Sequence, residues 1–266
     1  MKVLLNADDL GLTKGFNEAI KAAHLEGYLT HASLMGNTDD FEDAVVNVLP
    51  FCPNLTIGLH VNLTSHHALS PSTTTIAKGG IFHSSFVKLL FLFKSKKVKQ
   101  EIEAEIELQI QQLLKKGIVI SHIDGHNHVH IIPSINTIVR KLAKKYKIPR
   151  VRELNEDFFH SLKYNWRRTT VANIVKYSLL RFLALFNENS NATQFYSILT
   201  TCDVHADSLF PYLEDSKHIQ EIEVMVHPCI LALNPILKGS YNNYLNSPKR
   251  EQELELCFNK KFEDYR

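Results

Sequence analysis

Lys2-Val3-Leu4-Leu5-Asn6-Ala7-Asp8-Asp9-Leu10-Gly11-Leu12 opens the chain. Residues 2–6 are an apolar run of strand length, and two carboxylates follow at once. Residues 16–26 then place Phe16, Ala19, Ile20 and Ala23 on one helical face, closed by Gly27. The alternation continues outward. Strand patterns fall at residues 31–35, 55–63, 118–124, 149–154, 195–199 and 222–227. Helical patterns fall at 40–49, 98–116, 134–146, 171–186 and 248–258, with Pro50, Gly117 and Pro133 as punctuation. Residues 65–82 are polar, carry Gly79-Gly80, and read as a long loop leaving the strand that bears His60; such a loop is expected to wall a substrate cleft. Strands separated by helices indicate a mostly parallel sheet with crossover helices. At 266 residues the expectation is an α/β fold, a (β/α) barrel-like single domain, distorted or incomplete, with an open doubly wound sheet second. No G-x-G-x-x-G follows the first strand, which argues against a dinucleotide site.

Composition narrows the partners. Hydrophobic residues make up 44% of the chain, enough for a sizeable core, and the formal net charge is only +2. The lysine-rich stretches 94–99 and 141–147 sit in helical patterns and read as solvated faces, so no nucleic-acid partner is expected. The longest apolar stretch, residues 86–93, is interrupted by Lys88 and is far short of the ~20 residues a membrane span needs, so no membrane partner is expected. Cys52, Cys202, Cys229 and Cys257 form no C-x-x-C pair, which speaks against a thiolate metal site or a disulfide framework. The first residues reach Asp8 and Asp9 too soon for a signal peptide, so a cytoplasmic location is expected.

The reactive side chains collect at strand ends. Asp8 and Asp9 follow the first strand, and His60 lies near the end of the third. Asp124, His126, His128 and His130 follow the next strand, Arg150 and Arg152 lie on its successor, and His227 ends a late one. In a barrel or parallel sheet these ends share one rim, where active sites are built. Asp9, His60 and His126 offer one carboxylate and two imidazoles, a set that leaves positions open on a hydrolytic metal ion. Asp8 is then free to accept a proton from the attacking water. Each group has a plainer reading. Asp8-Asp9 before Gly11 makes a serviceable turn and helix cap, and a lone His60 on a strand is more often a hydrogen-bonded core residue. The cluster 124–130 is harder to dismiss, because several adjacent imidazoles bring little packing benefit.

At these residues the chain resembles the YdjC-like carbohydrate deacetylase family. The matching segments are Asn6-Ala7-Asp8-Asp9-Leu10-Gly11-Leu12, Thr30-His31-Ala32-Ser33-Leu34-Met35, Gly58-Leu59-His60, residues 122–130 with Pro133, and Val224-Met225-Val226-His227-Pro228. The resemblance implies a barrel-like fold related to NodB-type polysaccharide deacetylases, and divalent-metal-dependent hydrolysis of N-acetyl groups on chitooligosaccharides or similar glycans. By position it places the metal ligands on Asp9, His60 and His126, the base on Asp8, and a late-strand histidine on His227. Some sequences of this family carry a further histidine where this one has Asn127. Residues 158–194 match none of its motifs and are a candidate specificity segment.

On this reading His227 gives its proton to the departing amine, Arg152 orients Asp8 and holds it ionised, and Asp124 fixes the tautomer of a ligand imidazole. The ion is Mg²⁺ or Zn²⁺: two imidazoles and a carboxylate suit zinc, and the resemblance allows magnesium. The partner is a small carbohydrate, and a homodimer is compatible with everything above. Two other classes use the same residues, a metal-dependent phosphoesterase on a phosphorylated sugar and a non-catalytic sugar-binding protein.

Overall fold

A computed structural model of the chain describes residues 1–189, 193–236 and 240–265. Seven parallel strands form one sheet. They are β1 (Lys2–Leu10), β2 (His31–Leu34), β3 (Thr56–Val61), β6 (His122–Gly125), β7 (Arg150–Val151), β8 (Gln194–Tyr196) and β9 (Glu221–Val226). Their order is β7-β6-β3-β2-β1-β9-β8, with β7 and β8 at the two edges. Those edges nearly meet: Phe195 N–H donates to Asn155 O at 3.1 Å, tying the chain after β7 to β8. The fold is therefore an α/β barrel left incomplete, seven strands curled into a partial barrel within a single domain, as the alternating pattern predicts.

Helices surround the sheet. They include α1 (Lys14–Leu25), α2 (Phe41–Asn47), α3 (Phe86–Phe91), α4 (Lys96–Lys115), α5 (Pro133–Tyr146), α6 (Phe158–Asn165), α7 (Val171–Ala184), α8 (Ala206–Asp215), α9 (Ser240–Leu245) and α10 (Lys249–Cys257). Outward-facing Leu5, Ala7, Leu34, Leu59, Val61, Val224 and Val226 share one apolar cluster with Ile20, Ile106, Val139 and Leu209 of the helices. The strand period of two sends the alternate residues inward, and many of these are polar. Asn6, Asp8, Ser33, His60, His122, Asp124, Arg152 and Glu223 are all buried. Gly58 leaves room for this packing, since a β-carbon there would stand 2.3 Å from His122 Nε2. The sheet is apolar on its outer face, and its inner face gathers the ionic groups beside apolar Leu4, Phe195 and Met225.

The segment 65–82 differs from the expected open loop. It contains a two-stranded hairpin, β4 (Ala77–Lys78) with β5 (Ile81–Phe82). Its body is pinned to α4: Ser70 N–H donates to Glu105 (2.8 Å), and Thr75 N–H to Glu101 (2.9 Å). Boundaries also moved. The strand expected at 118–124 begins only at His122, because Val119 is 85% exposed, and β1 runs on past Asn6 through both aspartates. No helix among the described residues is long and apolar enough to cross a membrane.

Candidate active site

Two adjacent strand residues normally point to opposite faces. Asp8 and Asp9 escape this because β1 breaks register against β2 between Ala7 and Leu10, and Asp9 takes a left-handed conformation (φ 69°). Aspartate tolerates that region better than most side chains. Both carboxylates therefore reach the same rim. A second irregularity follows β6, where Asn127 and His128 are also left-handed (φ 54° and 57°) and the tight turn holds His126 over the barrel mouth.

The three expected metal ligands converge. Asp9 Oδ1 lies 2.8 Å from His126 Nδ1 and 3.3 Å from His60 Nε2. One ligand atom from each of the three falls within 4.8 Å of the other two, and all three residues are buried. Ligands ~2.1 Å from one tetrahedral ion stand roughly 3.4 Å apart, so the spacing fits. On the far side of the ring, His60 Nδ1–H donates to Asp124 Oδ1 at 2.7 Å, leaving Nε2 to face Asp9. Such a carboxylate–imidazole pair orients metal ligands. Burial opposes a charge on His60, yet Asp124 and Asp8 hold its pKa up at about 10. Asp9 is held well below the usual carboxylate range against its burial, first by His126.

Arg152 lies 1% exposed behind this set and ties three carboxylates together. It donates to both oxygens of Asp8 (2.7 Å each) and to Glu223 Oε1 (2.6 Å), and Nη2 lies 2.7 Å from Asp124 Oδ2. Asn6 Nδ2–H adds a bond to Asp8 Oδ1 at 2.8 Å. Arg150 meets the other oxygen of Glu223 at 2.6 Å. Asp8, Asp124 and Glu223 thus share two guanidiniums, while Asp9 faces the imidazoles of His60 and His126. Asp8, His60 and Asp124 form a second close trio, but Arg152 and Ser33 already occupy Asp124.

His227 lines the same cavity as Asp8, His60 and His126, a space of about 530 Å³. Glu253 accepts its backbone N–H at 2.6 Å, and Cys202 Sγ lies 3.7 Å from Nδ1. Burial opposes protonation of His227, but the Cys202 sulfur and Glu253 keep its pKa well above the ordinary value. His128 also lines the cavity, whereas His130 is fully buried beside Gly125. His130 serves packing rather than the rim.

Several residues at the site carry no sequence signal of their own. Tyr244 of α9 donates to Asp9 Oδ2, and its partner Tyr241 meets His66 Nε2 at 2.9 Å. Cys202 stands alone in sequence, and only the fold brings it to His227. The 65–82 segment contributes less than expected. Thr64, Ser65, Ser84 and Ser85 at its two ends line a second cavity beside His126, while its middle lies on α4. The main cavity is walled by α3 and α7 instead.

The interior histidines predict an acid-labile fold. Burial, aided by Arg150, lowers His31 to about 4 and His122 to about 3, and burial lowers His130 to about 3. Unfolded histidine titrates near 6.5, so these groups contribute stability above pH 6.5 that is lost as pH falls toward 4. His60, with a raised value, contributes stability that is full below pH 6.5 and is lost as pH rises toward 10. The depressed carboxylates contribute stability that is full above about 4 and is lost below it, so neither changes much in this window. Each buried neutral imidazole should cost up to about 1.4 kcal/mol per pH unit in that window. In chelator, the urea midpoint should drop steadily from pH 7 to 5. A flat midpoint would show that these rings are protonated in the folded chain.

Residues 2–266 match the model of the family described as YdjC-like protein. A carbohydrate deacetylase of Brevibacillus brevis is 31% identical over 257 residues, covering 96% of this chain and 90% of that protein. One from Clostridium beijerinckii is 28% identical over 262 residues, covering 98% and 92%. Among solved structures, an Enterococcus faecalis protein provisionally named for cellobiose-phosphate cleavage superposes with TM-score 0.68 at 18% identity, covering 99% of this chain and 93% of that one. That last likeness is one of fold. The family match runs the length of the chain and takes in the strand ends that carry Asp8, Asp9, His60, His126 and His227, so this chain belongs to the YdjC-like family.

Proposed function

We propose that this chain is a divalent-metal-dependent hydrolase that removes the N-acetyl group from an acetylated amino sugar, such as a unit of a chitooligosaccharide. The observation that carries the reading is the meeting of Asp9, His60 and His126 with Asp8 directly beside them. The names of the relatives, carbohydrate deacetylases, supply the substrate class.

Amides resist hydrolysis because the carbonyl is a poor electrophile and the amine a poor leaving group. Asp9, His60 and His126 would hold the ion, which when bound supplies Lewis-acid polarisation and a more acidic water. Zinc suits two imidazoles and a carboxylate, and magnesium is the alternative. Asp8 accepts the proton of the attacking water. Its Oδ1 is engaged by Asn6 and Arg152, whereas Oδ2 takes only Arg152 Nη1 among the described residues and keeps a lone pair for that proton. Arg152 positions Asp8 and does not itself touch substrate. His227, held protonated by Cys202 and Glu253, gives a proton to the departing sugar nitrogen.

A phosphoesterase is less well served, since Lys176 is the one Lys or Arg among the described residues lining the cavity. A binding-only role does not account for Asp8 standing beside the ligand set. The test is acetate release from N-acetylated oligosaccharides, with phosphate release from sugar phosphates as the contrast. His227→Ala refines it. Loss of the acid should lower kcat by about 10²–10⁴-fold on a sugar amide, and markedly less on an amide with an activated leaving group. Equal losses on both would remove His227 from the proton-donor role.

A further inference from the structure

Helix α7 is apolar on two faces. Tyr177, Leu180 and Leu183 pack into a second core cluster, which accounts for its folding. A further stripe, Val171, Val175 and Phe182, recurs at helical spacing yet faces solvent, with Val175 62% exposed, while Leu179 beside it is partly buried against that cluster. Across the cavity, α3 presents Phe86 and Val87, and Phe91 beyond them is 80% exposed. An amphipathic helix needs one apolar face, so the second is unexplained by folding. Exposed apolar side chains that border a cavity form a candidate binding surface.

Position says what covers it. Phe86, Val87, Val175, Leu179 and Leu180 line the same cavity as Asp8, His60, His126 and His227. The apolar wall therefore begins next to the reacting groups and runs outward between α3 and α7. Its inner part is concave, out of reach of a flat protein surface. Along Phe86, Val87, Val175 and Leu179 the wall offers only carbon, and sugar hydroxyls buried there would be left without partners, at a cost for each. The cation on this side, Lys176, is engaged by Thr201 Oγ1 at 2.7 Å.

Resting on the deacetylase reading, we propose that the slot between α3 and α7 is a subsite for a hydrocarbon chain. The substrate class then extends to an N-acetylated amino sugar joined to an alkyl or acyl lipid. The α7 wall lies within residues 158–194, the segment singled out as a candidate for specificity; residues 190–192 of it lie outside the described residues.

The test compares the methyl and n-octyl β-glycosides of N-acetylglucosamine, both below the octyl compound's micellar concentration, by calorimetric binding and by acetate release from the full chain. Each seated methylene strengthens binding about fourfold, so an octyl preference of roughly tenfold or more in Kd and KM is expected. Val175→Asp should bring the octyl value down to that of the methyl glycoside. Val119→Asp, also exposed but away from the cavity, should keep the preference. Equal Kd for both glycosides overturns the subsite, and the deacetylase reading survives if the methyl glycoside still yields acetate. An octyl preference in binding with acetate from neither glycoside retains the subsite and overturns the deacetylase reading. A dimer that Val175→Asp dissolves, with no octyl preference, assigns the wall to a second copy of the chain and overturns the proposal.

Discussion

An Asp8→Asn chain is expected to release acetate about 10²–10⁴-fold more slowly than the parent while still taking up a divalent ion. An amide oxygen cannot accept the water proton, and Asp8 is not among the three side chains that would hold the ion. The substitution is less innocent than its shape suggests. Both oxygens of Asp8 bond Arg152, so an Asn turns an N–H toward a buried guanidinium. Stability should fall as well, and thermal midpoint and metal content must be read beside the rate. Near-normal acetate release from a folded, metal-loaded variant would remove Asp8 from the proton-transfer step.

His126→Ala should be more damaging to metal uptake. His126 reaches into the cavity from a tight turn, and its loss leaves Asp9 with His60 and Tyr244. Removing a ligand should cost more than the roughly 10–100-fold in affinity that losing an outer partner costs. Asp124→Asn supplies that milder comparison, because Asp124 holds His60 from behind without facing the cavity. Acetate release should be at background for His126→Ala at any metal concentration that saturates the parent. If the two variants lose metal affinity equally, His126 is not a ligand.

Much of this site is legible in the sequence, because parallel-strand topology brings strand ends to one rim whatever their separation along the chain. Asp9, His60 and His126 meet for that reason. What escaped reading depended on irregular backbone and late tertiary contacts. The register break at Ala7–Leu10 lets adjacent aspartates share a face, and no local pattern announces it. Tyr244 and Cys202 reach the site from helix α9 and a loop with no motif. Helix α8 contains Pro211, which argues against a helix when read locally, and α6 sits in a stretch without family motifs. Two carboxylates look like a turn, so the sequence pattern ends the first strand at Asn6. They continue the strand because Arg152, far along the chain, neutralises Asp8 inside the barrel.

The most direct measurement follows acetate release from N-acetylated chitooligosaccharides as metal is removed and restored. The chain should lose activity when stripped by chelator and regain it on adding back Zn²⁺ or Mg²⁺, with about one ion bound per chain at recovery. Stripped His126→Ala, treated identically, should recover neither. Undiminished acetate release from a chain shown by elemental analysis to hold no metal would contradict the assignment of Asp9, His60 and His126 as the centre of the reaction.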